Sequence, residues 1–258
     1  MIKNLQNYFN IFTNLSFRNI KIRYRQALIG SLWAIIKPTI TVIVFLIVFK
    51  YIIKLQIKEN IYFELFLLCG LIPWFFFSQL ITDLINSHTD NPNLLTKVYI
   101  PRIIIPSSYL MVNFLEFLIS TFVLVFISIY FFNLFYIDIG LFVLASALMI
   151  FFCISLGSFL SIIVIQYRDI KHIIPIILQA GIFLSPIAYG LDFVPERFQS
   201  LYSLNPILSP IEIYRGAFLD NYIFNFKCLY ISLTSLFIIS CISLILFIKK
   251  KDSTAEYF

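Results

Sequence analysis

Phe17-Arg18-Asn19-Ile20-Lys21-Ile22-Arg23-Tyr24-Arg25 leads, within a few residues, into an apolar run over residues 32–53. A basic, aromatic segment feeding a run of that length marks a chain that enters a bilayer from its positively charged side. Five more apolar runs follow, at residues 61–85, 104–131, 139–165, 173–188 and 228–248, the last ending against Lys249-Lys250-Lys251. A helix needs about 20 apolar residues to cross a hydrocarbon core of about 30 Å. The expected fold is an all-α integral membrane protein with six transmembrane helices per chain, its fifth span the shortest.

Composition agrees. Of the 258 residues, 60% are hydrophobic and 12% charged, and the mean hydropathy is +0.94. A soluble domain cannot hide that much apolar surface. The net charge of +6 does not point to nucleic acid, because the charges lie between apolar runs and not along one polar face. Anionic membrane lipid is the expected partner. The cysteines Cys69, Cys153, Cys228 and Cys241 fall within apolar stretches without metal-ligand spacing, so they read as small core hydrophobes. No cleavable signal is expected, since the first apolar run is of spanning length and lacks an A-x-A site.

Lysine and arginine set the orientation. With the N-terminus cytoplasmic, Lys3, Arg18, Lys21, Arg23, Arg25, Lys37, Lys97, Arg102, Arg168, Lys171 and Lys249 to Lys251 lie inside, thirteen against six outside (Lys50, Lys54, Lys58, Arg197, Arg215, Lys227). Both termini are expected in the cytoplasm.

Leu5, Tyr8, Phe9, Phe12 and Leu15 share one face of a helix over residues 4–15. Residues 1–31 are therefore expected to form an amphipathic interfacial segment, and residues 32–258 one transmembrane domain. Two connections carry helical signals of their own. In the cytoplasmic one, Asn91 can cap, Pro92 suits a first helical position and Pro101 stops the helix, giving a short projecting helix. In the outer one, residues 189–225, Ser209-Pro210-Ile211-Glu212 reads as a capping box and residues 195–204 as a second short helix. Joined by Asn205-Pro206, they suggest a re-entrant helical hairpin between spans five and six.

No G-x-x-x-x-G-K-[ST], G-x-S-x-G, H-E-x-x-H or D-x-D motif occurs, and His88 and His172 are expected in cytoplasmic loops. No catalytic constellation, metal site or bound cofactor is expected in this chain. Glu116 falls near the middle of the third run, with Asn113 about one turn before it. It reads either as a pore-lining or proton-relay group, or as a carboxyl hydrogen-bonded to a neighbouring helix. The second is favoured, because a lone carboxylate makes a poor relay.

These residues resemble a family. Arg18 through Arg25, then Leu28-Ile29-Gly30-Ser31-Leu32-Trp33-Ala34 and Lys37-Pro38, are similar to the entry of the first span in ABC-2 type permeases. So are Gly70-Leu71-Ile72-Pro73-Trp74-Phe75-Phe76-Phe77-Ser78, Asn93 through Arg102, Tyr167-Arg168-Asp169-Ile170-Lys171, Ser185-Pro186-Ile187-Ala188-Tyr189, and Asn205-Pro206 through Tyr214-Arg215. The likeness covers nearly the whole chain in order and is strongest to the permeases of polysaccharide exporters: O-antigen, capsule and teichoic acid. Asn19 departs from it, standing where the family usually carries an acid.

The resemblance implies a homodimer of this chain with two copies of a separate P-loop ATPase docked on the cytoplasmic side. ATP and Mg2+ would belong to that partner. Asn93, Leu94, Leu95, Thr96, Lys97, Val98, Tyr99 and Ile100 would form the coupling helix, with Arg168 and Asp169 a smaller contact. The cargo implied is a lipid-linked glycan leaving the cytoplasm across the bacterial inner membrane. Arg18, Lys21, Arg23 and Arg25 are candidates for its lipid phosphate or for ordinary anionic lipid. Trp74, Tyr189, Phe193 and Tyr202, near the outer hairpin, are candidates for a channel or outer gate, since aromatic rings stack on sugar faces. The alternatives are an ABC-2 exporter of another lipid or a drug, a proton-coupled secondary transporter, and a membrane-embedded glycan-processing enzyme.

Overall fold

The computed structural model describes residues 2–24, 33–54, 62–87, 89–90, 101, 103–220 and 222–250. Among them every regular element is helical. In chain order they are α1 (Ile2–Tyr24), α2 (Trp33–Phe45) continued by a π-helical stretch (Leu46–Ile52), α3 (Phe63–Asn86), α4 (Ile104–Phe132), α5 (Ile139–Gln166) and α6 (Ile170–Leu184). A 3-10 turn (Leu191–Phe193), α7 (Glu196–Tyr202), α8 (Leu208–Phe218) and α9 (Phe226–Lys250) complete the chain. Helices α3, α4, α5 and α9 are each long and apolar enough to cross a membrane, while Thr39–Ile52 and α6 are apolar but shorter. This is a multi-pass membrane protein. The fifth apolar run ends as a helix at Leu184, earlier than expected, because Ser185 is extended and the chain bends through Tyr189.

Helix α3 is the axis of the molecule. Within the chain 72% of its most apolar window is buried, against 28% for α4 and α9. Leu65, Leu67, Leu71, Leu80, Ile81, Leu84 and Ile85 cover about two thirds of its circumference and are all buried. A helix buried over most of its circumference is one that other helices surround, and α2, α4, α5, α6 and α8 pack on it.

Lipid offers no hydrophobic drive between helices, so association rests on close packing and on small residues. Helix α5 buries Ala145, Ser146, Ser155, Gly157, Ser158 and Ser161. A β-carbon at Gly157 would lie 2.4 Å from Leu84 Cδ1, so only glycine lets α3 and α5 approach this closely. The hydroxyls of Ser146 and Ser155 donate to the carbonyls of Phe142 (2.8 Å) and Phe151 (2.6 Å) of their own helix, which satisfies them without a partner from another helix. Between α4 and α5, Asn133 takes the left-handed conformation that ends a helix (φ 52°). Asp138 then caps α5 by accepting from Leu141 N at 3.0 Å.

Two local expectations change. The N-terminal helix does not stop at residue 15 but runs on to Tyr24 through the basic segment, burying Leu15, Ser16 and Asn19. The Asn19 amide donates to Ser108 Oγ of α4 at 2.9 Å, so α1 is held along α4. The capping box at Ser209 does not form. Helix α8 begins at Leu208, placing Ser209, Pro210 and Glu212 inside it. Pro210 is tolerated because it lies in the first turn, and Glu212 bonds elsewhere.

Replacing Gly157 by leucine is expected to force α3 and α5 apart and cost about 1–3 kcal/mol, read as a lowered thermal unfolding midpoint in detergent. An unchanged midpoint would mean that the two helices do not touch there.

Candidate functional site

Two polar clusters interrupt this apolar interior. The first joins α1, α3 and α4. Arg23 Nη2 pairs with Asp83, and Nη1 lies 3.2 Å from Glu116 Oε1 and donates to Asn113 Oδ1 at 3.3 Å. Tyr24 OH donates to Glu116 Oε1 at 2.7 Å, Asn113 Nδ2 to Asp83 Oδ2 at 2.8 Å, and Gln79 Nε2 to Asp83 Oδ1 at 3.1 Å. Helical spacing explains the convergence: Gln79 and Asp83 are four apart on α3, Asn113 and Glu116 three apart on α4, so each pair shares a face. The side chains of Arg23, Asp83 and Glu116 are 24%, 14% and 23% exposed, too enclosed for solvent to screen them fully. Burial works against the Arg23 guanidinium, but Asp83 and Glu116 outweigh it and raise its pKa above the ordinary value. Burial, aided by the bond to Glu116, raises the Tyr24 phenol as well, keeping it a neutral donor.

The second cluster is sealed. Arg215 Nη1 donates to Glu212 Oε1 at 2.9 Å and Nη2 to the Ile187 carbonyl at 2.7 Å. Its guanidinium carbon lies 3.6 Å from the centroid of Phe66, a cation–π contact. Tyr222 OH donates to Glu212 Oε2 at 2.6 Å. Burial first, then the charge of Glu212, raises the Tyr222 phenol above its usual range and keeps it protonated. Gly70 makes the arrangement possible, because a β-carbon there would lie 2.8 Å from Ile187 O and 2.9 Å from Arg215 Nη2. The side chains of Arg215 and Glu212 are 0% and 5% exposed.

The other expected residues disperse. Arg18 donates to Asn19 Oδ1 at 3.3 Å; Lys21 is exposed and Arg23 turns inward. Arg168 and Asp169 are exposed on the turn between α5 and α6. Tyr189 and Tyr202 meet through their hydroxyls at 2.6 Å, and Tyr189 OH also donates to Phe183 O at 3.0 Å. Phe193 is exposed on its 3-10 turn. Trp74 is buried, 5.5 Å from Phe77 between ring centroids and against Gly181 of α6. Arg25 and the expected coupling helix, Asn93 to Ile100, lie outside the described residues, as does His88.

Sequence reasoning missed Arg215, Glu212 and Tyr222. The signal was there: Glu-x-x-Arg inside an apolar helix puts opposite charges on one face. Asp83 lies near the end of its apolar run, and only the packing of α1 and α4 on α3 gives it the partners Arg23 and Asn113. Among the described residues no group of three His, Cys, Asp or Glu side chains is placed to hold a metal ion.

Residues 11–219 match the family described as ABC-2 type transporter. An O-antigen export system permease protein, RfbA, of Klebsiella pneumoniae is 29% identical over 98% of this chain and 96% of its own length. RfbA of Myxococcus xanthus is 27% identical over 86% and 85%. The polysialic acid transport protein KpsM of Escherichia coli is 28% identical over 81% of both chains.

Arg215→Met leaves Glu212 buried without its cation and is expected to cost about 3–5 kcal/mol, whereas Arg215→Met with Glu212→Leu costs much less. Thermal unfolding of both variants checks this; equal losses would contradict it. Arg23→Leu, which leaves the partly buried Asp83 and Glu116 without their shared cation, is expected to cost about 1–3 kcal/mol. The same measurement with Arg23→Lys, expected to recover part of the loss, separates charge from packing.

Proposed function

This chain belongs to the ABC-2 type transporter family, and on that premise we propose that it is the permease subunit of an ATP-driven exporter of lipid-linked polysaccharide. The observation that carries the reading is that its match to permeases named for O-antigen export runs almost end to end. The cargo class follows their names and that of the polysialic acid transporter. The membrane is the bacterial cytoplasmic (inner) membrane, with both termini on the cytoplasmic side.

In this reading the chain crosses six times. Helices α3, α4, α5 and α9 are joined by α2 with its π-helical extension and by α6. Helix α1 lies at the cytoplasmic interface, and α7 with α8 forms the re-entrant outer hairpin. Two copies enclose the path and two P-loop ATPase subunits, which carry ATP and Mg2+, drive it. Residues Asn93 to Ile100 dock on the ATPase, and Arg168 and Asp169 make a second, smaller contact; the exposure of that turn is compatible with docking. Tyr189, Phe193 and Tyr202 line the outer mouth, where rings can stack on sugar faces while letting the chain slide. Trp74 supports α6 from behind. With Arg23 engaged by two carboxylates, the lipid phosphate falls to Lys21 and its neighbours Arg18 and Arg25. Glu116 is the structural carboxyl of the first cluster, and a carboxylate so paired is a poor proton carrier, which argues against a proton-coupled transporter.

Tagged chain taken from its own cells in mild detergent is expected to give, by native mass spectrometry, two copies with two copies of a P-loop ATPase. The chain alone, stable and active in transport, would remove the ABC reading. Tyr99→Pro is expected to leave insertion and assembly intact but to uncouple ATP hydrolysis from export; efficient export in that variant would show that residues 93–100 do not transmit the stroke.

A further inference from the structure

A cavity of about 270 Å3 lies between α2, α3 and α4. Its wall is aliphatic and aromatic except for Thr39, Glu64 and Ser120. The Ser120 hydroxyl is spent on the Glu116 carbonyl at 2.9 Å, so it does not make the wall polar. Along α3 the lining runs from Glu64 to Phe75, and along α4 from Ser120 to Phe132. At 1.5 Å per residue the walls are about 16–18 Å long. That is about half the hydrocarbon thickness, the depth of one leaflet. The two helices run antiparallel, so Phe131 stands at the Glu64 end and Ser120 at the Phe75 end. Ile43 and Phe131 line the cavity and are also exposed, so it opens sideways onto an exposed apolar face of the chain.

The charged end is specific. Glu64 lines the cavity and pairs with Lys50. Lys50 is borne by the π-helical stretch that prolongs α2, and exposed Lys54 follows just beyond it. A π-helical insertion in an otherwise α-helical span commonly marks a functional position. A purely anionic lipid would bring its phosphate against Glu64. A headgroup with both a phosphate and a primary ammonium suits both signs: phosphate to Lys50 and Lys54, ammonium to Glu64.

We propose that this cleft is a binding site for an aminophospholipid of the phosphatidylethanolamine type, one acyl chain in the cavity and the headgroup on Lys50, Lys54 and Glu64. The Lys50–Glu64 pair closes the mouth when it is empty and exchanges partners when it is filled. The site requires only that the chain be embedded in a bilayer. It does not depend on what cargo the protein moves or on what drives it.

The test uses the intact complex in nanodiscs of phosphatidylcholine doped with phosphatidylethanolamine carrying a diazirine near the end of one acyl chain. After illumination, peptide mapping is expected to place adducts on α2, α3 and α4 around Ile43, Phe75 and Ser120. Unlabelled phosphatidylethanolamine should compete at least about tenfold better than phosphatidylcholine, whose quaternary ammonium has no N–H to give Glu64. Phosphatidylglycerol should compete no better than phosphatidylcholine. Glu64→Gln, which preserves shape, should abolish the preference while leaving the assembly folded by size exclusion. Adducts spread evenly over exposed faces such as that of α9, equal competition by phosphatidylcholine, stronger competition by phosphatidylglycerol, or a preference that survives Glu64→Gln would each overturn the assignment. None of these readouts involves export or ATP hydrolysis, so failure here leaves the transport reading standing.

Discussion

The Arg215 guanidinium has no water to fall back on, and much of the interior is arranged around that fact. An enclosed cation must find its counter-charge and its acceptors within the protein. Glu212, one turn earlier on α8, supplies the charge, the Ile187 carbonyl accepts, Phe66 lies against the guanidinium, and Tyr222 holds Glu212 by its second oxygen. These contacts come from four separate parts of the chain. The irregular turn after α6 is held because its carbonyl is needed, α8 is drawn against α3, and the loop before α9 is pinned through Tyr222. Gly70 is the steric permission for all of it.

Arg23 solves the same problem near the other end of α3. Gly70 and Asp83 are separated by about 20 Å along the helix, so the central helix is tied by a charged knot toward each end. The two knots differ in kind. That at Arg215 has one cation, one anion and almost no exposure. That at Arg23 places one cation between two carboxylates and retains some contact with solvent. Excess negative charge is tolerable only where water reaches it, and that is where it occurs.

Much of the architecture was legible in the sequence because length and hydropathy are local properties. Four long spans announce themselves by composition, and their expected bounds fall within a few residues of α3, α4, α5 and α9. The helix over Asn4 to Leu15 was legible from its apolar stripe, but its continuation to Tyr24 was not. Basic residues at that point suit either lipid or carboxylates, and only the packing of α1 on α4 decides between them. Asn19 illustrates the limit. Its place in the chain marked it as an acid replaced by an amide, while the use of that amide, a hydrogen bond to Ser108, depends on a residue 89 positions away. Glu116 accepts from Arg23 and Tyr24, partners 93 and 92 positions away that periodicity along the chain does not identify. The close meeting of Tyr189 and Tyr202 likewise follows from a bend that hydropathy does not encode.

The unequal burial of the helices gives the molecule unequal stiffness. Helix α3 is packed over most of its circumference, so moving it would break packing throughout the bundle. Helix α6 and the π-helical stretch contain no buried residue, and few contacts resist their displacement. They are linked through α2, where Phe45 stacks on Phe183 with ring centroids 5.9 Å apart. A force applied at the exposed turn of Arg168 and Asp169, at the foot of α6, therefore meets a compliant flank before it meets the rigid spine. Deformation follows the softest path, up α6 and across the Phe45–Phe183 stack into α2. The protein can thus change shape along one side while the charge-bound axis stays still.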